Sequence, residues 1–255
     1  MRYSYRNFNT VLNGDDSQFS KDHYQTTELL LGTQIKRKWQ LLAFLPYSVN
    51  NSITDDGPRQ SSGLSDITLM ASYNLINKVE FTSDTDAVQQ QFWMGAGAKL
   101  PTGKFSPDNG DFLPSVNNQP GSGSLDFLLM ATYAIRIQRW AFSSNGTYKI
   151  NQSASNFQFG NRFAANAFFS RSFNCGAILF NPNIGLLCEK LEANKYNKEE
   201  IDGTGGSALL GAAGMEIRLK SFAIGGNIQV PIRSNLSAGQ TQIRSRGMLQ
   251  LSYVF

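Results

Sequence analysis

Hydrophobic and polar positions alternate along almost the whole chain. In one segment Leu125, Phe127, Leu129, Ala131, Tyr133 and Ile135 fall on one side. Asp126, Thr132 and Arg136 fall on the other, with Leu128 and Met130 between them. A period of two marks a β-strand whose faces meet different surroundings. The same alternation predicts twelve strands, near residues 2–9, 23–35, 39–48, 63–75, 89–100, 124–136, 139–150, 157–170, 174–188, 207–218, 221–232 and 241–255. Most exceed the usual strand of about 5–6 residues and match the roughly 9–11 that a tilted strand needs to cross a bilayer. Helical periodicity is hard to find anywhere.

The connections alternate in length. Short ones fall near Lys36–Lys38, Ile137-Gln138, Arg171–Phe173 and Leu219-Lys220. Long polar ones cover 10–22, 49–62, 101–123, 189–206 and 233–240, with a shorter one at 151–156. The connection from Asn77 to Val88 breaks the rule, being long on the short side. One end thus gathers the long loops, as in outer-membrane barrels with short periplasmic turns and long outer loops. An even strand number puts both termini at the short-turn end.

The faces point the same way. Phe157, Phe159, Phe163, Ala165, Ala167 and Phe169 oppose Gln158, Arg162, Asn166 and Ser170; Ile243, Leu249, Leu251, Tyr253 and Phe255 oppose Arg244, Arg246, Gln250 and Ser252. Tyr73, Trp93, Tyr133, Trp140, Tyr148 and Tyr253 cluster at segment ends, as interfacial aromatic girdles do. An open sheet edge cannot persist in hydrocarbon, where an unpaired backbone group costs several kcal/mol. Segment 241–255 is therefore expected to pair with segment 2–9. The fold class expected is all-β: one closed antiparallel transmembrane β-barrel of about twelve strands over residues 1–255, with its apolar face to lipid.

Composition fits this reading. Mean hydropathy is only −0.29, as expected when every second strand residue avoids lipid. Gly is abundant at 23 residues, suiting an all-β chain rich in turns. The net charge of +4 is spread along the chain rather than gathered into a stripe, so nucleic acid is not an expected partner. Cys175 and Cys188 are placed in one strand thirteen residues apart, too far to pair with each other, and read as isolated thiols. The single histidine, His23, leaves no credible Ser/His/acid set. Gly203-Thr204-Gly205-Gly206 lacks the lysine of a phosphate loop, and no metal-ligand spacing appears. Asp55-Asp56 and Glu199-Glu200 read as solvated loop acids. No enzyme activity, cofactor or metal is expected. Met1-Arg2-Tyr3 leads straight into a strand without an apolar export segment, so the numbering is expected to begin inside a longer precursor.

Three motifs carry a resemblance. Gly63-Leu64-Ser65-Asp66-Ile67-Thr68-Leu69 with Tyr73-Asn74-Leu75, then Gly97-Ala98-Lys99-Leu100-Pro101-Thr102-Gly103, and Gly121-Ser122-Gly123-Ser124-Leu125-Asp126-Phe127, resemble in order and spacing the outer-membrane family named for the meta-pathway of phenol degradation. Asn161-Arg162-Phe163 and Gly225-Gly226-Asn227-Ile228-Gln229 are similar to Bacteroidetes relatives. The resemblance implies an outer-membrane barrel placed near transporters of aromatic hydrocarbons and fatty acids, without a catalytic set. Its surroundings would be outer-membrane lipid and lipopolysaccharide.

The predicted lumen is the informative surface. Alternation puts Arg2, Arg6, Glu28, Asp66, Lys99, Asp126, Arg136, Lys149, Arg162, Glu216, Arg218, Arg233, Arg244 and Arg246 inside, ten basic residues against four acidic. These side chains form either an internal salt-bridge network that plugs a narrow barrel or an anion-favouring path lined by arginine. A path for a hydrophobic solute would use Leu42, Phe44, Met70, Leu128 and Met130 instead. Pro101, Thr102, Gly103, Gly121 and Gly123 either end strands and make turns or hinge loop 101–123 inward as a constriction. Two functions follow: passive transport of a small aromatic, hydrophobic or anionic solute, or a non-conducting barrel that anchors other outer-membrane proteins.

Overall fold

In a computed structural model, described over residues 1–12, 18–55, 57–83, 86–106 and 118–254, the chain closes into a barrel of twelve long antiparallel strands. These are β1 (Arg2–Leu12), β2 (Gln18–Ile35), β3 (Trp39–Thr54), β4 (Thr68–Ser83), β5 (Asp86–Lys99), β6 (Asp126–Ile137), β7 (Trp140–Ile150), β8 (Arg162–Arg171), β9 (Ile178–Leu191), β10 (Gly206–Leu219), β11 (Phe222–Leu236) and β12 (Thr241–Tyr253). Each pairs with its sequence neighbours, and β1 pairs with β12 to close the ring, Arg2 opposite Gln250 and Thr10 opposite Thr241. The closing pair is the one that the hydrocarbon constraint demands.

The packing is inside-out relative to a water-soluble barrel. Leu129, Ile184, Ile228 and Leu249 are between 52% and 64% exposed on the outer wall, whereas Ser72 and Asp126 are at most 1% exposed inside. The outer wall therefore faces lipid and the lumen is polar. Near the short-turn end, aromatic pairs ring the outside. Trp39 meets Tyr73 edge-on at 4.9 Å, Trp140 stacks on Phe169 at 5.0 Å, and Phe222 lies 4.7 Å from Tyr253. Arg171 adds its guanidinium over Trp140 at 4.8 Å, an amphipathic contact suited to the headgroup zone. Trp93 does not join this girdle. It stands opposite Asn74 and Thr132 on the lumen side.

Several strand limits differ from the sequence expectation, for one reason. The apolar face gives way to polar residues beyond the membrane, but the hydrogen-bonded ladder continues. β3 runs on to Thr54, and Gly57–Leu64 pairs back on it, so loop 49–62 is largely a hairpin. On the opposite end β4 and β5 extend to Ser83 and from Asp86. The anomalous long connection from Asn77 to Val88 thereby becomes a strand hairpin, and the length asymmetry holds throughout. Two more limits shift at β8. Phe157 and Phe159 leave the strand: Phe157–Gln158 joins a small outer sheet with Ser153–Ala154, Lys195–Tyr196 and Glu199–Glu200. The turn expected at Arg171–Phe173 falls instead at Gly176, φ 60°, between Phe173–Cys175 and β9. Cys175 and Cys188 are thus on different strands, both exposed and both free. Phe255, Asp56 and the centre of loop 101–123 lie outside the described residues.

Alternation assigns Leu129 to lipid and its neighbour Leu128 to the lumen. Leu129→Arg should destabilise the barrel by about 2–4 kcal/mol, the cost of a cation on a lipid-facing strand. Leu128→Arg should cost much less. Urea unfolding in phospholipid vesicles, followed by tryptophan fluorescence, measures both.

A charged belt across the lumen

The three motifs singled out in the sequence converge on one cation. Lys99 ends β5, with Asp126 directly opposite at the start of β6. Its Nζ lies 2.7 Å from Asp66 Oδ2 and 2.7 Å from Asp126 Oδ2, and all three side chains are at most 8% exposed. It also bonds the Ser122 hydroxyl. Asp66 accepts from the Gly103 N–H at 2.9 Å, the Ser122 N–H at 2.9 Å and the Ser122 hydroxyl at 2.8 Å. Asp126 accepts from the Ser124 hydroxyl at 2.7 Å and the Gln152 N–H at 3.0 Å. Both limbs of loop 101–123 are therefore tied to the same carboxylate, Asp66.

The small residues of the motifs make this approach feasible. A methyl group on Gly103 would stand 2.7 Å from Gly121 Cα, so both positions need the bare backbone. Gly123 takes φ 69°, which places it in the left-handed region. Thr102 accepts the Ile67 N–H at 2.9 Å. The limbs also clamp each other: Gln119 accepts from the Ser106 N–H at 2.6 Å and donates to the Ser106 carbonyl at 2.7 Å. Asn118, 6% exposed, brings its carbonyl to the lumen-facing Asn50 amide at 3.0 Å. Pro101, Thr102, Gly103, Gly121 and Gly123 thus lie where the two limbs of the loop base meet each other and the strand ends.

The charges continue around the wall. Lys149 on β7 lies 3.3 Å from Asp126 Oδ2 and stands opposite Arg162 on β8. Arg162 meets Glu189 Oε2 on β9 at 3.1 Å. Arg246, from β12, reaches Glu189 Oε1 at 3.0 Å and is 5% exposed. Arg6 is its register partner on β1 and lies within electrostatic reach of Arg162, Glu189 and Arg246. The result is a belt in which carboxylates and cations alternate on one side. On the other, three arginines surround one glutamate. Closer to the short-turn end, Arg2 pairs with Glu28. Arg218 bonds Glu216 at 3.0 Å, and Arg136 is exposed at the inner mouth.

Two expected lumen residues are not there. β10 and β11 shift register between Leu209 and Leu210, so Arg233 stands opposite Leu209 on the outer face. β1 and β12 shift between Asn7 and Phe8, which leaves Arg244 without a register partner and exposed. The same shift turns Ile243 inward, where it is 5% exposed. Each bulge inserts one residue and reverses the parity beyond it. Two carboxylates were missed. Glu189 lies one residue past the expected end of its strand. Asp22, inside a segment read as loop, accepts the Ser52 hydroxyl at 2.5 Å and the Ser20 hydroxyl at 2.9 Å. Continuing the alternation of Asn183 and Leu187 by two residues would have found Glu189.

Replacing Lys99 by Met leaves two buried carboxylates facing each other. Loss of a buried ion-pair partner costs about 3–5 kcal/mol, so the urea midpoint should fall accordingly. Limited proteolysis should also cut loop 101–123 faster than in the parent protein.

The comparisons with known proteins agree with this architecture. An outer membrane channel from Pseudomonas putida F1 superposes with a TM-score of 0.67 at 13% identity, covering 100% of this chain and 94% of that one. The β domain of the Bordetella autotransporter BrkA superposes with a TM-score of 0.55 at 11% identity, covering 100% and 98%. At these identities the likeness is one of fold: an outer-membrane barrel. A search among curated proteins finds no match. The family model described as MetA-pathway of phenol degradation matches residues 6–237, and the chain belongs to that family.

Proposed function

We propose that this outer-membrane barrel is a passive, non-enzymatic channel for a small solute, with a preference for anions. The observation that supports it is the cluster of Arg6, Arg162 and Arg246 around the single carboxylate of Glu189. Glu189, even with Asp22 opposite Phe8 on the neighbouring strand, cannot neutralise three guanidinium groups, so this side of the lumen carries net positive charge. A ring of like charges in a narrow pore concentrates counter-ions and repels co-ions. The base of loop 101–123, moored on Asp66, supplies the constriction. The alternation of charge elsewhere in the belt supports the lumen as a structural network as well, since paired charges brace the wall. His23, the one imidazole, bonds Asn7 at 2.8 Å on the outer side of β1 and β2, away from the lumenal carboxylates.

Purified protein in planar bilayers under a KCl gradient should give stable conductance with a reversal potential on the chloride side. Glu189→Gln should increase the chloride preference, and Arg162→Gln should reduce it. A silent barrel that co-purifies with other outer-membrane proteins would overturn transport and favour an anchoring role.

A further inference from the structure

The arginine cluster adjoins an apolar one inside the same lumen. Leu210, Leu236 and Ile243 are buried, with Phe8, Leu187 and Leu191 packed against them. The two clusters touch directly: the Arg246 guanidinium lies 5.2 Å from the centre of the Phe8 ring. Leu187 and Leu191 flank Glu189 at two residues on either side along β9. Apolar side chains on the inner wall of a polar barrel are not required by the fold, because lipid is on the other side.

Two buried polar atoms here lack partners. Arg246 uses Nη1 on Glu189, but its Nε has no hydrogen-bond acceptor. The Ser234 hydroxyl, opposite Ala208 of the apolar cluster, is also unpartnered. A buried N–H left unsatisfied is unfavourable, and a guanidinium presents its donors in a fork matched to a carboxylate.

We infer that this junction binds a small amphipathic carboxylate, with the carboxyl group on Arg246 and Arg6 and the carbon body against the half-buried side chains of Phe8, Leu187 and Leu191. This assignment rests on the lumen being the solute's path and narrows its substrate class. An inorganic anion would satisfy the arginines and leave the apolar wall without a role. A neutral hydrocarbon would do the reverse. An acid with a short carbon body uses both.

Isothermal titration of the folded barrel in detergent with hexanoate, acetate and 1-hexanol tests the assignment. Hexanoate should bind saturably, and acetate and 1-hexanol at least tenfold more weakly. Arg246→Met should weaken hexanoate at least tenfold, in protein whose heat-modifiable migration shows a closed barrel. Arg6→Met serves the same purpose if the first variant does not fold. Equal binding of 1-hexanol, equal binding of acetate, no binding of hexanoate, or full binding by the folded arginine variants would each overturn the assignment. Titration does not depend on conduction. A silent bilayer with hexanoate binding defeats the channel alone, and conductance without binding defeats the carboxylate site alone.

Discussion

The constraint on which everything else depends is the absence of hydrogen-bonding partners in hydrocarbon. Each backbone N–H and C=O at membrane depth must find its partner within the protein. An antiparallel sheet meets that demand only when its first and last strands join, as Arg2–Leu12 and Thr241–Tyr253 do. Closure then dictates the side chains. One face of every strand must be apolar to suit lipid, so the alternate face is left to line a lumen. Hydrophobic burial inside a core, the usual source of stability, is largely replaced here by a continuous ladder and by contacts across the lumen.

A narrow lumen makes its charges expensive unless they are matched. Taking ions from water costs several kcal/mol each, and only good geometry with further hydrogen bonds offsets this. Asp66, Lys99 and Asp126 meet that condition, since the carboxylates also accept from Gly103, Ser122, Ser124 and Gln152. Arg6, Arg162, Glu189 and Arg246 meet it only in part, with one acid for three bases and a guanidinium nitrogen left over. The first group has the character of structure. The second has charge and donor capacity to spare, which is the property that a solute site requires.

How much of this the sequence showed depends on what water does to alternation. Between lipid and lumen the period of two is clear: Asp126 is buried between the exposed Leu125 and Phe127, and Leu129 is exposed in turn. At the short-turn end both faces are wet, and Ile76 and Phe81 gave no periodic signal although the ladder runs through them. Bulges are the second blind spot. A single inserted residue reversed the sides of Arg233, Arg244 and Ile243, and nothing in their residue types announces it. Trp93 shows the third: aromatic identity suggested the interface, but parity with Lys99 fixes it inside. Three motifs suggested a family, but not that they meet at one lysine.

That meeting ties the loop to the charge pattern of the pore. Lys99 holds Asp66, which holds Gly103 and Ser122 and thereby the base of loop 101–123. The same lysine neutralises Asp126, which also engages Lys149, the register neighbour of Arg162. Any shift of the loop base must change the partners of Asp66, and through Lys99 the balance of charge along the belt. In the proposed channel, steric constriction and ionic selectivity would therefore not be independent. They share a cation, and the short glycine-rich motifs at 103 and 121 are what let the backbone come close enough to share it.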